Sequence, residues 1–141
     1  MDSKFQSSNL AARLVVAFTL CLTAGLAIAA DLKLSGANEV PPVTTAASGT
    51  GTIRVADDGS VSGSVKVTGV VATMAHIHLG AAGKNGPVIL PLAQTAPGEW
   101  SVPAGAKLDT EQIKSYKAGE LYVNVHSDAN KGGEIRAQLV P

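Results

Sequence analysis

The stretch TGTIRVADDGSVSGSVKVT, residues 50–68, decides the fold class of this chain. It predicts two strands, Thr50–Val55 and Ser60–Thr68, joined by a turn that contains the hairpin signal Asp58-Gly59. In the second strand the valines share one face, and the serine, lysine and threonine residues take the other. Such alternation with a period of two is typical of an antiparallel strand with one buried face.

The rest of the chain continues this pattern of short strands. A further strand near Trp100 is less well marked, and one helix is expected to begin at the capping sequence Asp109-Thr110-Glu111-Gln112, run to about Lys117 and stop at Gly119. The predicted fold is an all-β, Greek-key-like β-sandwich or flattened barrel of about seven to eight antiparallel strands with one short helix. The other predicted strands are Leu32–Gly36, Met74–Leu79, Pro87–Leu92, Leu121–His126 and Glu134–Val140.

The first of these strands, Leu32–Gly36, is followed by Pro41-Pro42. Because proline cannot donate to a strand ladder, this segment is expected at an edge of the sheet or at a chain crossing.

The N-terminal segment has the order of a secretory signal peptide. Lys4 and Arg13 precede an apolar run, Leu14–Ile28, and Ala27-Ile28-Ala29 is a small-x-small cleavage signal. The run is shorter than the roughly 20 residues that a membrane-spanning helix needs. We therefore expect residues 1–29 to be removed and a domain of residues 30–141 to be periplasmic or secreted, with no membrane span.

Removal of the leader also removes Cys21, the only cysteine of the chain. The remaining domain must be stabilised by packing, hydrogen bonds or a metal, because no disulfide is available to it. Nine basic and ten acidic residues would remain, so the net charge near −1 gives no reason to propose a nucleic acid partner.

The three histidines of the chain fall in two predicted strands. Residues i and i+2 of a strand point to the same side, so His76 and His78 project together, opposite Ile77. His126 is expected on the side of its strand that is opposite the apolar residue Val125. All three imidazoles are thus predicted on the outer face, away from the valine-rich core.

Three imidazoles on one face suit a single copper or zinc ion, since imidazole nitrogens bind these metals at roughly 2.0–2.1 Å. Three protein ligands leave a coordination position open, as in catalytic or redox sites. Asn124 and Arg136 are candidates to support the ligands, although Arg136 and Glu134 are more simply explained as part of a solvated strand face. The sequence does not say whether the two histidine strands are neighbours.

Three segments together resemble the CHRD (chordin) domain family. The resemblance extends from about Leu32 to Leu139, implies an exported domain, and brings no settled biochemical activity with it. The segments are Leu34–Val43, then Ala75–Gly80 with Gly83 and Asn85–Val88, then Leu121–Ser127 with Gly132–Arg136.

The two histidine strands are also similar to the copper-binding strands of copper/zinc superoxide dismutases. That similarity implies copper ligation by His76, His78 and His126 and an anion-guiding role for Arg136. The chain departs from that family because it has no fourth histidine to bridge two metals and no cysteine pair.

Three functions remain open at this point. The first is a single copper or zinc site in a binding or redox role. The second is a non-enzymatic extracellular or periplasmic module that binds a protein partner and no metal, with the histidines serving the fold. A hydrolytic zinc enzyme is the third, and whether the protein is an enzyme at all stays open.

Overall fold

The structure, a computed structural model, describes residues 31–141. The predicted leader and Cys21 lie outside the described residues. Within them the chain forms nine antiparallel strands and one α-helix, which confirms the all-β prediction. The strands are β1 (Leu32–Ser35), β2 (Ser48–Val55), β3 (Val61–Thr68), β4 (Ala72–Leu79), β5 (Val88–Pro91), β6 (Ala93–Ala96), β7 (Glu99–Ser101), β8 (Leu121–Ser127) and β9 (Ile135–Gln138).

All nine strands belong to one sheet, in the order β5-β4-β8-β9-β1-β2-β3-β7-β6. The two edge strands, β5 and β6, are consecutive in the chain and are separated only by Leu92. The backbone N–H of Leu92 donates to the carbonyl oxygen of Ala75 in β4, at 2.9 Å. The sheet therefore curls back on itself into a nearly closed, flattened barrel, as predicted.

The expected position of β1 was wrong. This strand pairs with β2 along its whole length and with β9 through Ser35 and Arg136, so it lies inside the sheet. Pro41-Pro42 does not interrupt the ladder because both prolines lie beyond the end of the strand, after a 3-10 turn at Gly36–Asn38.

The core fills the inside of the barrel with the apolar face of each strand. β8 contributes Leu121, Val123 and Val125, all fully buried. β4 contributes Ala75 and Ile77, each 1% exposed. The predicted inward face of both histidine strands is thus confirmed.

The helix α1 (Thr110–Lys117) begins and ends where the sequence predicts. The Asp109 carboxylate accepts from the Gln112 N–H at 2.8 Å, and the Gln112 side chain accepts from the Asp109 N–H at 3.0 Å. Gly119 follows the helix with a φ of +73°, a left-handed conformation that glycine adopts without strain. No helix among residues 31–141 is long and apolar enough to span a bilayer.

Candidate metal centre

The two histidine strands are direct neighbours in the sheet. β4 pairs antiparallel with β8, and the register places Met74 opposite His126, His76 opposite Asn124, and His78 opposite Tyr122. His126 therefore lies diagonally across from His76, two residues beyond the direct partner Asn124. Long side chains at diagonal positions of a sheet are within reach of one another.

The three imidazoles converge on one point of this ladder. His76 Nδ1 lies 3.1 Å from His126 Nε2. One ligand nitrogen from each ring can be chosen so that all three lie within 4.8 Å of one another. Nitrogens sharing a metal at about 2.0–2.1 Å are at most about 4.2 Å apart. Three nitrogens on one metal are about 3.3–3.6 Å apart, so the pair of His76 and His126 is close to the required spacing and ring movements of up to about 1.5 Å would bring in His78.

Backbone carbonyl groups orient two of the three rings. His78 Nδ1 lies 3.0 Å from the Gly86 carbonyl oxygen, and His126 Nδ1 lies 2.9 Å from the Lys131 carbonyl oxygen. A carbonyl oxygen only accepts, so each Nδ1 carries the proton and each Nε2 is unprotonated, with the lone pair of His126 Nε2 directed at His76 Nδ1. The same arrangement fixes the tautomer of histidines that ligate metals through Nε2.

The lone pair of His78 Nε2 has no partner. This atom is buried and makes no hydrogen bond in the structure. An unsatisfied buried acceptor costs free energy, and a bound cation would remove that cost. The donor set therefore fits a metal ion that accepts nitrogen ligands.

The surroundings favour the neutral form of all three rings. Burial is the largest cause that lowers the pKa of each of the three histidines. The proximity of the other rings lowers the pKa of His76 further, and the Arg136 charge acts in the same direction on His78. Neutral imidazole is the form that binds metals, so the site is ready to bind near neutral pH.

The face of the histidine strands that is opposite the core is covered by other parts of the chain. This corrects the expectation that all three histidines lie at the surface. His78 and His126 are 8% and 6% exposed, and only His76 is partly open. The loops 80–87 and 128–134 and the segment that follows β1 cover this face. Their contacts are made by residues distant in the chain, such as Asn124 and Glu39, which are 85 positions apart.

The loop 80–87 depends on a glycine beside His78. A Cβ at Gly86 would overlap the carbonyl oxygen of Leu79, so no other residue fits there without a shift of the backbone. The Gly86 N–H donates to the Tyr122 hydroxyl at 3.1 Å, while its carbonyl accepts from His78. Gly86 thus holds the loop on β8 and the His78 ring in place at the same time.

Arg136 is 1% exposed, so the interpretation of its strand face as solvated was wrong. Its guanidinium carbon lies 3.4 Å from the centre of the Tyr122 ring, and that ring stacks on His78 with centroids 4.8 Å apart. Its N–H groups donate to the Ala81 carbonyl at 3.1 Å and to Gln138 Oε1 at 3.3 Å. Arg136 therefore supports the histidines through Tyr122 and loop 80–87.

Asn124 links the histidine strands to Glu39, a carboxyl group that was not predicted to lie at the site. Its side-chain amide donates to both carboxyl oxygens of Glu39, at 2.8 and 3.0 Å. Burial raises the pKa of Glu39 to about 7, against the lowering effects of Asn124 and Arg136. The only available sequence signal was the position of Glu39 inside the family-like segment Leu34–Val43.

Glu134 is the second buried carboxyl group near the site, also against the expectation of a solvated face. It is 4% exposed. One carboxylate oxygen accepts from the Thr45 hydroxyl, and the other accepts from Ser127 Oγ and Asn130 Nδ2, both at 2.6 Å. These hydrogen bonds lower its pKa and tie the loop 128–134 to the chain before β2.

The fold and this cluster define a small antiparallel β-domain with a candidate three-histidine metal centre. The sequence profile of the CHRD domain matches residues 31–139, and the chain belongs to the CHRD domain family. No curated protein and no solved structure shows a significant match to the chain. The predicted family is therefore confirmed, whereas the similarity to superoxide dismutases has no support beyond the quoted motifs.

Proposed function

We propose that this CHRD domain is an exported metal-binding protein that holds one copper or zinc ion on His76, His78 and His126. The observation that carries the proposal is the buried, unpartnered His78 Nε2 beside the hydrogen-bonded pair of His76 and His126. The ion would replace that single hydrogen bond with three metal–nitrogen bonds. The open coordination position would serve either storage and delivery of the ion or a redox role.

Several features support binding over a purely structural role for the histidines. A structural histidine cluster would be expected to satisfy its buried nitrogens, and this one does not. Two of the rings are already oriented by carbonyl groups, so little conformational freedom would be lost on binding. All three have lowered pKa values, so protons compete weakly with the metal.

Thermal unfolding in the presence of metal tests this proposal. Since the ion binds the folded state only, copper or zinc at about 100 times the dissociation constant should stabilise the wild type by about 2.7 kcal/mol. His126→Ala should abolish the shift. Lys131→Ala is the matched control, because it removes a neighbouring side chain but keeps the backbone carbonyl that orients His126. Every protein carries Cys21→Ser, which removes the one competing thiolate.

An absence of any shift in the wild type would contradict the proposal. It would leave the metal-free interaction module as the remaining function.

We further propose export by the leader at residues 1–29, on the order of charge, apolar run and small residues described above. N-terminal sequencing of the protein recovered from the periplasm or the medium should begin at Ala30. Recovery of the whole chain from the cytoplasm alone would contradict export.

A further inference from the structure

Met74 lies next to the metal centre, on the same face of β4 as His76 and His78. The inward-facing neighbours, Ala75 and Ile77, alternate with these residues along the strand. Met74 also stands directly opposite His126 in the pairing with β8. Opposite residues of an antiparallel pair have Cβ atoms about 4.5–5.5 Å apart. Met74 therefore has a histidine ligand beside it on each of the two strands.

The side chain of Met74 is free to bind. It is 46% exposed, and its neighbour His76 is the histidine of the cluster that is partly open. The cross-strand neighbours of His76 are Asn124 and Pro91, which has no donor atom in its side chain. Asn124 donates through Nδ2 to Glu39, and its unpartnered Oδ1 is a hard oxygen atom, which copper(I) does not favour. Met74 carries the only sulfur atom among residues 31–141, so it is the soft donor available on this face.

The charge of the donor set favours an ion of low charge. The cluster consists of three neutral histidines and contains no carboxylate. Of the nearby carboxyl groups, Glu39 is engaged by Asn124, and Glu134 is engaged by Thr45, Ser127 and Asn130. No anionic ligand then offsets the charge of the ion, and the cost of burying a charge rises steeply with its magnitude.

The cation of Arg136 adds to this preference for low charge. It lies on one face of the Tyr122 ring, and His78 lies stacked on that ring. A monovalent ion is repelled less than a divalent one by a fixed positive charge. The three histidine nitrogens suit zinc as well as copper, so the discrimination depends on the Met74 thioether, a soft ligand that suits copper(I).

We propose that the Met74 thioether is the fourth ligand of this ion and that the site is selective for copper(I) over zinc. This inference rests on the proposed function and names the metal and the oxidation state. The ion keeps its oxidation state on binding, so no co-reactant is required. Such a site would suit a copper(I) carrier, with an exposed thioether and a partly open His76 beside two histidines that carbonyl groups orient.

Competition with a chromophoric copper(I) chelator under anaerobic conditions tests the selectivity. The full-length chain with Cys21→Ser is compared with the same chain carrying Met74→Leu, which keeps the volume and apolar character of the side chain. The variant should lose at least about tenfold in copper(I) affinity and less than about threefold in zinc affinity. Val71→Leu, at a position that is 85% exposed and just before β4, is the matched control and should change neither.

NMR spectroscopy of the methionine methyl groups tests directly whether Met74 binds the ion. The chain has two methionines, Met1 and Met74, so a sample labelled with ¹³C at the methionine methyl groups gives two signals. The one that is missing in Met74→Leu belongs to Met74, and it should shift more with one equivalent of copper(I) than with one equivalent of zinc, because only copper(I) would bind the sulfur itself.

The outcomes separate this inference from the proposed function. If Met74→Leu keeps full copper(I) affinity while His126→Ala loses it, the fourth ligand is wrong and the three-histidine site stands. An equal loss of copper(I) and zinc affinity in Met74→Leu would indicate a structural role and would overturn the selectivity. If the wild type binds neither ion, both proposals fail.

Discussion

Glu39 is the residue whose titration the fold alters most clearly. Burial raises its pKa from 4.5 to about 7, so the folded protein binds this proton more tightly than the unfolded chain does. The stability gained from that proton is fully present below about pH 4.5 and is lost as the pH rises through about 7. The Arg136 and Glu134 charges, which also act on this pKa, oppose each other.

Replacement of Glu39 by glutamine should therefore stabilise the protein in a pH-dependent way. The neutral amide avoids the buried charge, and its N–H group could donate a hydrogen bond to Asn124 Oδ1, which has no partner in the structure. Melting curves should show Glu39→Gln about 5 °C above the wild type at pH 8, with little difference at pH 4.5. Glu120→Gln, at an exposed position, is the control. Parallel pH profiles of the variant and the wild type would contradict the burial of a titrating carboxyl group.

The contribution of Glu134 to stability should depend on pH in the opposite sense. Its hydrogen bonds lower its pKa, so its contribution to stability is present above its ordinary pKa of 4.5 and is lost as the pH falls below it. In Glu134→Gln an amide N–H group would face hydroxyl and amide donors, and urea unfolding at pH 7 should show a loss of about 2 kcal/mol. Asp128→Asn, an exposed change in the same loop, should leave the free energy of unfolding within about 0.5 kcal/mol. A similar small effect of Glu134→Gln would show that these bonds contribute little.

At the scale of elements, the loop 80–87 acts as a support for the β4 and β8 pair. Gly86→Ala should force its backbone away from Leu79 and take the carbonyl partner from His78. We expect a loss of about 1–3 kcal/mol in the free energy of unfolding, together with a lower affinity for zinc or copper in a metal titration.

Gly132→Ala provides the comparison for this loop. A Cβ at Gly132 meets no atom within 4 Å, so the same substitution in loop 128–134 should be neutral for stability and for metal affinity. If Gly86→Ala reduced stability and left metal affinity unchanged, the orientation of His78 by this loop would not matter for binding.

The sequence predicts the strands better than it predicts what covers them. The alternation in β3, β4 and β8 identifies the inward faces because it depends only on neighbours along the chain. β6 escapes prediction because its residues, Ala93–Ala96, lie mostly exposed at an edge and show no such alternation. The common face of the histidines follows from the same local rule, and their proximity requires the pairing of β4 with β8.

The polar layer that covers the histidines, formed by loops 80–87 and 128–134 and the segment after β1, could not be predicted from the sequence. It is made by contacts between distant residues, such as Glu39 with Asn124 and Thr45 with Glu134. An alternating strand looks the same whether its polar face meets water or a folded loop. For that reason Arg136 and Glu134 were expected in solvent and are in fact buried.

Across the whole molecule, the barrel core and the polar layer lie on opposite faces of the histidine strands. The core side of β4 and β8 is closed by aliphatic packing, and the opposite side holds the three imidazoles beneath loops that leave only His76 and Met74 open. The family match supports this domain as one unit over residues 31–139. The proposed metal binding therefore requires the folded domain and should be lost when the domain unfolds.

The metal content of the purified chain tests the central claim most directly. The full-length chain with Cys21→Ser would be saturated with copper or zinc, desalted and assayed by elemental analysis. Its counterpart would additionally carry His76→Ala, His78→Ala and His126→Ala. The account predicts one equivalent of metal per chain in the first protein and none in the second, with both folded by circular dichroism. Equal metal content in the two proteins, or none in either, would contradict it.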